Sequence, residues 1–473
     1  MSEQSNSILD KTIRRLLPLW RDVTSGRRSI DKLPLHPELN AQDSTELKNW
    51  MDACLSDQGG EIAARARAAT LGRSFLELNE EGRIRFLSLL SDHYGTDDDH
   101  VSEIIQHWKI CKGAERISCA NALRSALEPA RMKLLTQFNE LPEGIKFLVD
   151  MRAELLGLLS KNPNLKPLEH DLKRLLSSWF DIGLLQLERI TWQSSAELLE
   201  KLIAYEAVHE IKSWNDLKNR LDSDRRCFAF FHPSMPNEPL IFVEVALVNG
   251  LSDNVQHLLD ENAPVQDISQ ADTAIFYSIS NAQKGLAGIS FGNFLIKRVV
   301  KLLQAEFPQL TQFSTLSPIP GFCRWLKNST QDPLVTQLLA PEREWLEPAI
   351  ASGFNNIKLK QAHKDSLQNL ALYYLAKAHK ENKKNPNAAI ALDPVAHFHL
   401  SNGAKIERLN WMADSSVNGL KQSAGMMVNY LYELPKIESN SRQYSEKGER
   451  SLSIGVKKQL KSNRIKQAIP SEA

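Results

Sequence analysis

The chain has no CxxC pair. Its five cysteines, Cys54, Cys111, Cys119, Cys227 and Cys323, are odd in number and widely spaced. That pattern speaks against a structural zinc site and a disulfide framework, and it fits a reducing compartment. No apolar run reaches membrane-spanning length. The start, Met1 to Trp20, has no apolar stretch of the secretory-signal kind. Lys11, Arg14 and Arg15 with Leu16, Leu17 and Leu19 read there as a short amphipathic helix, and the acidic Glu3, Asp10 and Asp22 argue against a transit peptide. The last residues, Pro470-Ser471-Glu472-Ala473, are not the Ser-Lys-Leu peroxisomal address, so the cytoplasm is the expected location. An excess of one charge is also missing: 58 Lys plus Arg face 57 Asp plus Glu, a net charge of +1. Such a balance gives no support for broad nucleic-acid binding but leaves room for a local basic pocket. No fixed-period repeat is evident, and the Walker pattern GxxxxGK[ST] is absent.

What is present is a soluble-type composition, 42% hydrophobic and 24% charged over 473 residues, long enough for two domains. The first part reads as helices with short connections. Asn79 is placed to cap a helix through Glu80, Glu81, Ile84, Phe86, Leu87 and Leu90. The apolar periodicity of Ser118 to Phe138 is interrupted by Pro129, which predicts a break between two helices. A further helix runs through Ile145, Phe147, Leu148, Met151 and Leu155, and another starts near His170. The character changes near Trp179. Arg226–Phe231 and Leu240–Leu247, around a Pro-rich turn, predict a hairpin, and Thr273–Ile279 a third strand. A helix over Phe294–Gln304 follows, then strands at His397–Leu400 and Ile406–Leu409. The expected organisation is a helical domain over residues 1–177 and an α/β domain over 178–473 ending in a polar tail.

Three segments carry chemistry. Phe313-Ser314-Thr315-Leu316-Ser317-Pro318-Ile319-Pro320-Gly321-Phe322 sets a hydroxyl directly before a rigid turn, because proline fixes φ and removes an amide donor. Ser317 is thereby held still, either as turn chemistry or as a site hydroxyl. Gln283 to Asn293 joins a strand to a helix bearing Lys297, Arg298 and Lys301. Its glycines let amides approach a phosphate, or serve only as a packing turn. His397 and His399, two apart on a predicted strand, face one side. No third ligand lies nearby, so metal is not expected. A structural histidine or a proton donor is the choice that remains.

Phe313–Phe322, His399-Leu-Ser-Asn-Gly-Ala404 and Asn410-Trp-Met-Ala-Asp414 together resemble the signature segments of the malonyl-CoA decarboxylase family. So do Arg226–Leu247, Phe276–Leu302, Asn429-Tyr430-Leu431-Tyr432, Arg152–Leu156 and Trp179–His209. The likeness runs over roughly residues 60 to 435 and implies an α+β fold. In it a helical-bundle N-terminal domain precedes an acetyltransferase-like (GNAT) α/β catalytic domain. The implied reaction converts malonyl-CoA to acetyl-CoA and carbon dioxide without metal or organic cofactor. The resemblance places the catalytic serine on Ser317 and the catalytic histidine on His399. It puts the acyl-CoA loop on Ala287, Gly288, Ile289, Ser290, Phe291, Gly292 and Asn293, and a pocket tyrosine on Tyr432. Ser290 departs from the acidic residue of animal relatives. Homo-oligomers, a tetramer among them, are the implied assembly, with the helical domain as an interaction surface and no membrane or nucleic-acid partner. Two other readings stay open: an acyl-CoA-dependent N-acetyltransferase, and a non-catalytic malonyl-CoA sensor.

Overall fold

The computed structural model describes residues 16–20, 33–56, 60–289, 295–328, 343–352, 354, 363–382, 385–386 and 388–462. It divides into two compact units. One comprises Met1–Leu185 with the segments His232–Glu238 and Gln283–Ser290, and the other holds the remainder.

The first unit is helical: α1 Ala41–Leu55, α2 Gly60–Glu77, α3 Glu80–His93, α4 Asp98–Ile110, α5 Glu115–Ala126, α6 Ala130–Asn139, α7 Gly144–Leu158 and α8 Lys166–Trp179. Local sequence accounts for the boundaries. Asn79 accepts the Gly82 amide at 2.9 Å, and Glu80 and Glu81 sit in the first turn, where the helix dipole favours acid. Pro129 separates α5 from α6 as its missing N–H requires. The core is aromatic: Phe147 meets Trp20, Phe75 and Phe138 edge-on, with ring centroids 5.0, 5.8 and 5.1 Å apart.

One expectation fails in this unit. Cys111, the C-cap of α4, is bonded to Cys119 in α5 as a disulfide with a Cα–Cα distance of 6.7 Å. The five cysteines read as widely spaced in the sequence, but the turn between two consecutive helices brings this pair, eight residues apart, together. Cys54, Cys227 and Cys323 are free and buried.

The second unit is built on a mixed sheet. Its strands are β1 Gln186–Ile190, β2 Arg225–Phe231, β3 Ile241–Val248, β4 Thr273–Asn281, β5 Gln312–Thr315, β6 Ser317–Pro318, β9 Lys405–Asn410 and β10 Met427–Leu431; β7 His379–Lys380 and β8 Ile390–Ala391 form a separate pair. The order is β1-β2-β3-β4-β5-β10-β6, with β9 also on β10. Among the described strands only β4 and β5 pair in parallel, joined by the helix α9, Leu295–Glu306, as a parallel connection demands. Every residue of β2 and β3 is buried, which explains their near-continuous apolar character. Leu316 separates β5 from β6, and β10 pairs with both, through Leu431 opposite Ser314 and Val428 opposite Ser317. Ser317 thus lies on a short strand fixed by pairing as well as by the prolines after it. Among the described residues, no helix is long and apolar enough to cross a membrane.

Candidate active site

The strand predicted at His397–Leu400 is a helix, α10, Pro394–Ser401. The dipeptide Asp393-Pro394 explains why: the Asp393 carboxylate accepts the amides of Val395 (3.0 Å) and Ala396 (2.9 Å), and Pro394 occupies the first turn. On a helix, positions two apart diverge by about 200°. His397 accordingly bonds Tyr444 Oη through Nδ1 at 2.9 Å, whereas His399 meets other partners. The two imidazoles do not share a face.

His399 Nε2 lies 3.1 Å from Ser317 Oγ, and its Nδ1 lies 2.7 Å from Tyr432 Oη. Ser317 Oγ donates to Thr315 Oγ1 at 2.8 Å, and Thr315 Oγ1 also accepts the Tyr430 amide at 3.2 Å. The Tyr430 ring stacks on the His399 ring, centroids 4.5 Å apart at 26°. Strand β10 and the residue after it supply both tyrosines, and the Tyr432 amide is anchored on Phe313 O at 2.8 Å. A second tie links the two elements that carry Ser317 and His399: the other Asp393 oxygen accepts the Gly321 amide at 3.2 Å, immediately after the Pro-Ile-Pro turn. The structure therefore brings Ser317, His399 and Tyr432 together. It adds Thr315, Tyr430 and Asp393, which sequence reasoning had not singled out.

Burial sets the electrostatics. Ser317, His399 and Tyr432 are 6%, 2% and 3% exposed. Removal from water pushes the His399 imidazole down to about 3 and the Tyr432 phenol well above its usual range, so both are neutral near pH 7. Burial also raises the Asp393 carboxyl, opposed by the amides of Ala396, Gly321 and Val395 that it accepts. The His399 shift makes stability depend on pH. An unfolded histidine takes up a proton below about 6.5 and the folded one does not, so the stability present above pH 6.5 is lost as pH falls towards 3. Between pH 7 and 5, wild type should lose about 2 kcal/mol more than His399→Gln in denaturant unfolding. Equal losses in the two proteins would contradict the buried neutral state.

Ala287, Gly288 and Ile289 belong to the helical unit, where Arg152 Nη2 donates to Ala287 O at 2.9 Å. Ser290, Phe291, Gly292 and Asn293 lie outside the described residues.

The sheet unit holds a buried hydroxyl–imidazole–phenol chain, groups of the kind that can pass a proton. The family model of the malonyl-CoA decarboxylase N-terminal domain matches residues 94–180, and that of the C-terminal domain matches 183–469. The mitochondrial malonyl-CoA decarboxylase of Mus musculus is 38% identical over 448 residues, 88% of this chain and 86% of that protein. That of Anser anser anser is 38% identical over 80% of each chain. The crystal structure of malonyl-CoA decarboxylase from Rhodopseudomonas palustris superposes with a TM-score of 0.79 at 40% identity, covering 88% of this chain and 99% of that one. The structure from Agrobacterium vitis gives 0.75 at 39% identity, with 88% and 99% covered. The chain belongs to the malonyl-CoA decarboxylase family, a family of carboxy-lyases.

Proposed function

We propose that this enzyme converts malonyl-CoA to acetyl-CoA and carbon dioxide, with Ser317 and His399 acting on the enolate. The observation that carries the reading is the continuous chain Tyr432–His399–Ser317–Thr315, buried and, among the described residues, free of any charged neighbour in direct hydrogen-bond contact. Breaking the bond to the carboxylate leaves its electron pair on carbon, delocalised onto the thioester oxygen. The hydroxyl of Ser317 turns from Thr315 to donate to that oxygen. Nε2–H of His399 gives its proton to carbon, and Tyr432 O–H replaces it through Nδ1; one proton from solvent completes the balance. A neutral imidazole is a weak acid, but a thioester enolate carbon is a far stronger base, so transfer is downhill. Burial also favours expulsion of a charged carboxylate as neutral carbon dioxide.

Incubation with malonyl-CoA and no acceptor tests the reading. Release of carbon dioxide with stoichiometric acetyl-CoA supports it; an N-acetyltransferase would need an amine, and a sensor would bind without turnover. Thr315→Val removes the acceptor that orients Ser317 and should lower kcat about tenfold with KM little changed, whereas Thr315→Ser should retain activity. Self-association is proposed on the family resemblance, and the cytoplasm as the site of action on the three free buried cysteines alone.

A further inference from the structure

The turn between α4 and α5 collects more than the disulfide. His107 stands in the last turn of α4, four residues before Cys111, and the Cys111 N–H donates to His107 O at 3.2 Å. Positions four apart share one face of a helix, so imidazole and sulfur lie on the same side. The chain then reverses at Gly113, whose φ of +59° suits glycine, and α5 brings Cys119 back to that side. An imidazole nitrogen of His107 and the sulfurs of Cys111 and Cys119 all lie within 4.8 Å of one another. Among the described residues no other three side chains of His, Cys, Asp or Glu converge in this way. Both cysteines are buried and the histidine is exposed, so the cluster is reached from water past the imidazole.

We propose that Cys111 and Cys119, once reduced, join His107 in holding a thiophilic divalent cation of the Zn²⁺ type, with water in the fourth position. A dithiol reductant opens the bridge: it leaves as its own cyclic disulfide, and its two hydrogens end on the two sulfurs. The cation then displaces both thiol protons and binds two thiolates and a neutral imidazole. Such ligand atoms stand about 3.5–3.8 Å apart around a tetrahedral ion, inside the span that the three already keep. The cysteine Cα atoms are 6.7 Å apart, which lets the sulfurs part by side-chain rotation with the backbone in place. Sulfur with nitrogen selects Zn²⁺ over Mg²⁺ or Ca²⁺, which take oxygen ligands. The CxxC step is missing from the sequence because the second thiol comes from the next helix. Disulfide and cation are thus alternative closures of one turn, and all three ligands belong to the helical unit.

The test takes the full chain, reduced with a dithiol and desalted, and titrates it with Zn²⁺ against a chromophoric chelator. Reduced wild type should bind about one Zn²⁺ per chain and release about two protons, and Co²⁺ in its place should show thiolate-to-metal charge-transfer absorption. The oxidised chain should bind none. His107 is exposed, so His107→Ala leaves the fold intact and should weaken Zn²⁺ about ten- to a hundredfold. Replacing both cysteines, Cys111→Ser with Cys119→Ser, should remove the binding and the absorption together. The proposal is overturned if reduced wild type binds no Zn²⁺, if the oxidised chain binds it equally, or if His107→Ala leaves the affinity unchanged. Thiolate absorption that survives in the double variant also overturns it, because the ion would then sit on Cys54, Cys227 or Cys323.

Discussion

Ser317→Ala lowers kcat for malonyl-CoA by about two to four orders of magnitude, and His399→Asn does the same. The expectation follows from what each substitution removes. Among the described residues, alanine deletes the one hydroxyl bonded to both Thr315 Oγ1 and His399 Nε2, so the developing enolate oxygen loses its donor. Asparagine keeps a polar group but cannot carry a proton from Tyr432 Oη to the reacting carbon. Binding of CoA should change little, because neither group is needed to hold the nucleotide part. The double variant should be only slightly slower than either single one, since the two groups act on one enolate in one step. Stopped release of carbon dioxide, read beside calorimetric CoA binding, separates the outcomes. Near-normal kcat in both single variants sinks the assignment. A loss of CoA affinity equal to the loss of rate would recast the pair as binding residues.

The sheet unit was legible wherever local chemistry and final structure agree. The hairpin strands predicted at Arg226–Phe231 and Leu240–Leu247 fall on β2 and β3, since unbroken apolar runs around a Pro-rich turn have no competing use. The Pro129 break between α5 and α6 was equally readable from one missing amide. His399 was picked out while its setting was misjudged. The apolar neighbours of His397-Phe398-His399 suit a strand, but Asp393-Pro394, starting four residues earlier, is a helix start, and capping decides the outcome. Thr315 sat inside the quoted segment and was passed over because its partner amide comes from Tyr430, over a hundred residues away. The Cys111–Cys119 bridge was missed for a similar reason: a turn between consecutive helices creates the proximity, and spacing alone carries no trace of it.

Asp393→Ala should separate the two halves of the site although Asp393 touches neither Ser317 nor His399 in the hydrogen bonds described above. Its carboxylate holds the first turn of α10 through Val395 and Ala396 and holds the Pro-Ile-Pro turn through Gly321. Losing the cap costs about 1–2 kcal/mol, and leaving the Gly321 amide buried without an acceptor costs about 1–3 more. The kinetic effect has a different origin. A displacement of about 1 Å between nucleophile-sized groups can cost a hundredfold in rate, so kcat should fall about ten- to hundredfold in protein that remains folded. Asp393→Asn distinguishes the two roles. Its carbonyl oxygen can still cap α10, but its NH2 then faces the Gly321 N–H, donor against donor. Stability near wild type with a lowered kcat is the result expected for Asn, and lowered values of both for Ala. Wild-type kcat in a folded Asp393→Ala protein would mean that the helix and the turn keep their register by packing alone.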